Sequence, residues 1–77
     1  MIPELTNRER DIVRFLCLGM TNREIGTALG ISHRTVKNHI TAICEKWDLH
    51  TRTQIIITAF GLGMYDARQC WVDMGKM

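Results

Sequence analysis

Proline occurs once in the 77 residues, at Pro3, ahead of every patterned segment, so nothing later in the chain is barred from helix by a fixed backbone. Long apolar runs are missing as well. None approaches the roughly 20 residues that a bilayer-spanning helix needs. The opening "MIPELTNRERD" turns polar at once, so no signal peptide and no membrane partner are expected, and the expected location is cytoplasmic. The three cysteines, Cys17, Cys44 and Cys70, form no CxxC and no paired Cys/His spacing, which argues against a zinc site. Cys17 and Cys44 fall inside apolar helical patterns, as small core hydrophobes suited to a reducing compartment. Neither a nucleophile–base pair nor a carboxylate pair emerges, so no enzyme activity, metal or cofactor is expected. The charges nearly balance, ten lysines and arginines against eight aspartates and glutamates. A formal net charge of +2 does not announce a nucleic-acid partner, and any case for one must rest on where the charges sit.

What is present is helical punctuation. A hydrophobic content of 45% excludes a disordered tail, and 77 residues make one small domain whose single core is marginal without a second copy or another staple. "TNRE" (residues 6–9), "TNRE" again (21–24) and "TRTQ" (51–54) each have the S/T-x-x-E/Q form of a capping box. Ser32 before "HRTVKN" is a plain N-cap. Gly19 and Gly30 follow apolar-periodic runs and suit the left-handed residue past a helix end. Helices are therefore predicted over 7–18, 22–29, 33–47 and 52–63, with no strand alternation anywhere; the fold class is all-α. The sequences after the two "TNRE" copies do not match, so the repeat is one capping solution used twice.

The third predicted helix has two unlike faces. Val36, Ile40, Ile43 and Trp47 share a core stripe, while Arg34, Asn38, Thr41 and Glu45 share the opposite side with Lys37 on its flank. A polar face is an ordinary feature of a surface helix. Arginine and lysine can also donate to guanine or phosphate, asparagine can pair with adenine, and threonine can touch a thymine methyl. The preceding turn favours the second use. Gly26, Gly30 and Val36 supply the small residue at a helix crossing, the left-handed turn and the apolar wedge that a helix-turn-helix over about 22–41 requires. Ile25, Leu29, Ile31 and Ile40 fill the space between.

Leu5 to Ala59 resembles the LuxR-type, or GerE-type, DNA-binding domain, through "LTNRERDIV", "GMTNREIG", "LGISHRTVKNHI" and "TRTQ" in the family's order and spacing. The resemblance implies a four-helix domain with its third helix in the major groove and its fourth used for dimerisation, on double-stranded DNA. It implies base contacts from Lys37, Asn38 and Thr41. It implies phosphate contacts from Thr21, Asn22, Arg34, Thr35, His39, Lys46 and Arg52. Some positions depart from the family pattern. Gly26 stands where alanine is usual, Asn38 and Thr41 where aliphatic and basic residues are frequent, and Trp47 where leucine is common. The operator sequence therefore cannot be borrowed. His33 and His50 read as surface residues.

The fourth predicted helix places Ile55, Ile56, Ala59 and Leu62 toward the core. Ile57, Phe60, Gly61 and Met64 fall on a second stripe, expected to be a homodimer interface, since contiguous exposed apolar surface usually marks one. The expected domains are a helix-turn-helix domain over 1–64 and an extension over 65–77. Asp66, Gln69 and Gly75 could bound a short extra C-terminal helix in the extension. Cys70, Trp71, Val72 and Met74 make that tail apolar enough to cover the fourth helix, extend the dimer or dock a protein partner. Only four residues precede Leu5; a complete chain would be a free-standing regulator without a receiver or effector module. The leading expectation is a dimeric transcription regulator. The alternative is an interaction protein that pairs with and inhibits a larger regulator through the fourth helix and the tail. A relative of sigma-factor region 4 is a more distant third.

Overall fold

The structure is a computed structural model in which residues 5–63 are described. Four helices follow in order: α1 (Asn7–Cys17), α2 (Asn22–Leu29), α3 (His33–Trp47) and α4 (Arg52–Gly61). All four match the sequence expectation closely, and no strand occurs among the described residues. The starts are local chemistry. Thr6, Thr21 and Thr51 each close a reciprocal capping box with Glu9, Glu24 and Gln54, and Ser32 accepts from the Thr35 backbone N–H at 3.1 Å. Each such cap contributes about 1 kcal/mol.

The stops are partly as expected. Gly19 and Gly30 have φ of 78° and 71°, the left-handed values that favour glycine. α3 ends differently, on Asp48 at φ 55°, where the Asp48 and Leu49 N–H groups turn back to the Glu45 and Cys44 carbonyls. Aspartate tolerates this region better than most side chains, which is why a helix can stop there without glycine.

The core joins all four helices. Ile12, Val13 and Leu16 of α1, Ile25 of α2, Val36 and Ile43 of α3, and Ile55 and Ala59 of α4 are buried, with Leu5 closing one end. A fully buried aliphatic side chain of this size contributes about 1.5–3 kcal/mol relative to exposure. Ile40 and Trp47, expected on the same stripe of α3, are half-buried at its edge, as are Cys17 and Cys44.

Gly26 explains itself in this packing. A Cβ there would lie 2.6 Å from the Ile31 backbone oxygen, in the turn that leads into α3. The same turn is closed by Ile31 N–H donating to the Gly26 carbonyl at 2.9 Å. Glycine thus lets α2 and α3 come together tightly enough to fix the position of α3.

One expectation on α4 is corrected. Leu62 does not enter the core; the buried cluster ends at Ala59, and Leu62 stands 41% exposed at the C-cap. The helix ends at Gly61, so the helical phase that would turn Leu62 inward no longer applies. Met64, the 65–77 extension and its short helix lie outside the described residues.

Candidate nucleic-acid interface

α3 is held by its buried face, and this sets what its other faces can do. At about 100° per residue, Arg34, Asn38, Thr41 and Glu45 fall in one outward stripe opposite Val36 and Ile43. All four are exposed. Lys37 and Lys46 are nine positions apart and so lie about half a turn from each other, on opposite flanks. Thr35 and His39 share the Lys46 flank within about 40°, and all three are half-buried.

The Lys37 flank opens onto a depression of about 430 Å³, lined by Lys37, Thr41 and Glu45 of α3 together with Asn22, His50 and Arg52. Four residues expected to meet DNA, drawn from three helices, are thereby brought to one place: Asn22 of α2, Lys37 and Thr41 of α3, and Arg52 of α4. The Lys46 flank carries three more. A helix lying in a groove has a phosphate backbone along each side, and two polar flanks are what that geometry calls for. Glu45 is the exception. Its carboxylate lines the same depression and disfavours phosphate beside it on the Lys37 flank.

Partners divide these side chains into two groups. Arg34, Lys37 and Asn38 make no side-chain hydrogen bond or ion pair among the described residues. Thr41 Oγ1 donates to the Lys37 carbonyl at 3.0 Å, which occupies its proton within the helix. Thr35 and Ser32 share a hydroxyl–hydroxyl hydrogen bond of 2.9 Å beside the cap of α3. Thr21 is the N-cap of α2, its hydroxyl accepting from the Glu24 N–H at 3.1 Å.

Lys46 and Arg52 belong to the other group. Lys46 Nζ donates to Glu9 Oε1 at 2.5 Å, an ion pair between α3 and the first turn of α1. Glu9 is only 5% exposed, and the same oxygen accepts from Thr6 N–H at 2.8 Å. Burial pushes Glu9 upward, but the bonds from Lys46 and Thr6 outweigh it and hold the carboxyl below its ordinary value. Arg52 forks: one terminal nitrogen donates to Asn22 Oδ1 at 2.7 Å and the other to the Met20 carbonyl at 2.8 Å. Sequence reasoning named Asn22, Lys46 and Arg52 as DNA contacts but saw neither tie, because the partners lie 37, 30 and 32 residues apart in the chain. Glu9 was legible only as a cap. Cys44 also lines the depression, and burial pushes its thiol up, away from nucleophilic use.

On α4, Ile57 is 65% exposed, Gly61 is exposed and Phe60 is half-buried, so three of the four residues of the expected dimer stripe lie at the surface. No helix among the described residues is long and apolar enough to cross a membrane.

Residues 3–59 match the family described as bacterial regulatory proteins, luxR family. Among curated relatives, the chain is 39% identical over 64 residues to the transcriptional regulatory protein DegU of Brevibacillus brevis, covering 83% of this chain and 27% of that protein. It is 39% identical over 61 residues to the uncharacterized response regulatory protein YgeK of Escherichia coli, covering 79% and 42%. It is 47% identical over 55 residues to the transcriptional regulatory protein LiaR of Bacillus subtilis, covering 71% and 26%. The chain thus spans between about a quarter and two fifths of the length of these relatives.

Proposed function

The chain belongs to the luxR family of bacterial regulatory proteins, and on that premise we propose that it is a sequence-specific DNA-binding transcription regulator that lays α3 in the major groove. The observation that carries this reading is the contrast on α3: Val36 and Ile43 are fully buried while Arg34, Lys37 and Asn38 stand exposed without side-chain partners among the described residues. A rigidly held helix with unengaged donors pays little to exchange water for base edges. Lys37 reaches guanine O6 and N7, and Asn38 pairs with adenine N6 and N7. Thr41, its proton engaged by the Lys37 carbonyl, offers its methyl to thymine. Arg34 at the first turn of α3 meets phosphate. Thr21 and Asn22 do so at the start of α2, where helix N–H groups favour anions. Thr35, His39 and Lys46 meet the backbone on one side of α3; on the other side Arg52 is hydrogen-bonded to Asn22.

The protein acts as a homodimer through Ile57, Phe60 and Gly61, on a palindrome whose half-sites lie about one helical turn apart; Met64, also expected at the interface, lies outside the described residues. Residues 1–64 form the DNA-binding domain and 65–77 an extension, and the protein works in the cytoplasm without cofactor or metal. The 65% exposure of Ile57 also favours a second reading, in which α4 and the tail pair with a larger regulator and inhibit it.

Sedimentation of the purified chain across concentration, alone and with mixed-sequence duplex at two salt levels, tests the proposal. A dimer that binds DNA and releases it as salt rises is the expected result. A chain blind to duplex at low salt contradicts DNA binding and leaves the inhibitory partner as the reading to pursue.

A further inference from the structure

We propose that Arg52 is a positioning residue, which orients Asn22 and the start of α2 toward the DNA backbone, instead of a phosphate ligand in its own right; this rests on the DNA-binding reading above. A guanidinium has donors and no acceptor. The group that faces Arg52 at 2.7 Å must therefore be the carbonyl oxygen of the Asn22 amide, which settles which way round the amide sits. Its NH₂ end is turned away from Arg52. That nitrogen has no hydrogen-bond partner among the described residues, and no buried side-chain nitrogen or oxygen among them is left unpartnered, so the Asn22 NH₂ is accessible to solvent. Asn22 lines the same depression as Lys37 and Thr41.

The second arm of the fork fixes the frame. Arg52 also donates to the Met20 carbonyl at 2.8 Å, just ahead of the Thr21 cap, so the first residue of α4 grips the entry to α2 from two sides. A planar fork with two acceptors set by separate backbone positions holds a fixed geometry, which a lysine ammonium on a flexible stem does not reproduce. The chain thus spends two donors of Arg52 on shaping the surface and presents a neutral amide donor and the N-terminus of α2 to an anion.

The test is a double-mutant cycle in binding to a mixed-sequence duplex several helical turns long, at low salt, with Asn22→Ala, Arg52→Ala, the double variant and Arg52→Lys. Thermal unfolding of each shows that it is folded at the assay temperature. Asn22→Ala should weaken binding on the order of tenfold, the scale of one hydrogen bond to a charged group. Arg52→Ala should do the same, and the double variant should be no worse than either, because one contact is being lost by two routes. Arg52→Lys keeps the charge and should bind as poorly as Arg52→Ala. Losses that multiply in the double variant, or wild-type affinity in Arg52→Lys, would overturn the positioning role and return Arg52 to direct phosphate contact. Should Arg52→Ala not fold, Arg52→Lys against Asn22→Ala still decides the question. A wild-type chain that ignores duplex at low salt would instead remove the DNA reading itself, and the inference with it.

Discussion

Arg34, Lys37 and Asn38 project from α3 with no side-chain partner among the described residues, whereas Lys46 and Arg52 are tied to Glu9 and to Asn22 with Met20. The first set is available to a ligand at no cost in broken bonds, but it is rotationally free. Ordering a long side chain costs about 1.5–2 kcal/mol. The second set is already ordered and must share its donors with the fold. Base reading therefore belongs with Lys37 and Asn38 of the free set, and pre-organisation with the tied set. Charge counted along a helix does not distinguish the two; partners do.

The comparison is broken most severely by removing the frame that both sets share. Ile43→Ala empties a fully buried position on α3 and should cost about 2–5 kcal/mol in urea unfolding, taking DNA binding down with it. Next in size are changes to the free set. Lys37→Ala or Asn38→Ala should lose about 1–3 kcal/mol of discrimination between preferred and altered duplexes. Stability should stay within about 0.5 kcal/mol of wild type by the same unfolding measurement. A clear fall in melting temperature for either would mean that these residues are structural after all.

Gly26→Ala comes third. The added Cβ meets a backbone oxygen at 2.6 Å, and overpacking of this kind costs about 1–3 kcal/mol, partly offset by the roughly 1 kcal/mol that alanine gains in a helix. A net loss of up to about 2 kcal/mol in unfolding is expected. Equal or greater stability would show that the turn opens freely.

The smallest effect sharpens the contrast best. Glu9→Gln retains a side-chain oxygen for the Thr6 cap and removes only the charge facing Lys46. It should cost about 1 kcal/mol at neutral pH. It should also strengthen binding to mixed-sequence duplex, because Lys46 is released. The pH dependence follows from direction. The Glu9 carboxyl lies below its ordinary 4.5 in the folded chain, so its contribution is fully present above that value and is lost as pH falls through the lower folded one. Wild-type and Glu9→Gln melting curves should therefore differ at neutral pH and converge in acid. A constant gap across that range would mean that the ion pair contributes nothing.

Much of this was legible in the sequence because it is local. Capping boxes at Thr6, Thr21 and Thr51 and left-handed glycines at 19 and 30 are set by neighbours within a few residues, and the helix spans follow from them. The two faces of α3 follow from periodicity. The ion pair of Lys46 and the fork of Arg52 were not legible, since each depends on how helices distant in sequence approach one another. Asp48 was missed as a stop because aspartate is usually read as a start signal or turn residue, and its left-handed backbone is closed by N–H groups that sequence does not display. Leu62 was misplaced by extending helical phase beyond the last helical residue.

The most direct measurement is selection of binding sites from a random duplex pool by the wild-type chain and by Asn38→Ala in parallel. An enriched motif is expected for the wild type, with loss of preference at one base step per half-site in the variant. No motif, or the same motif at the same strength from both proteins, would contradict the assignment of base reading to the outward face of α3.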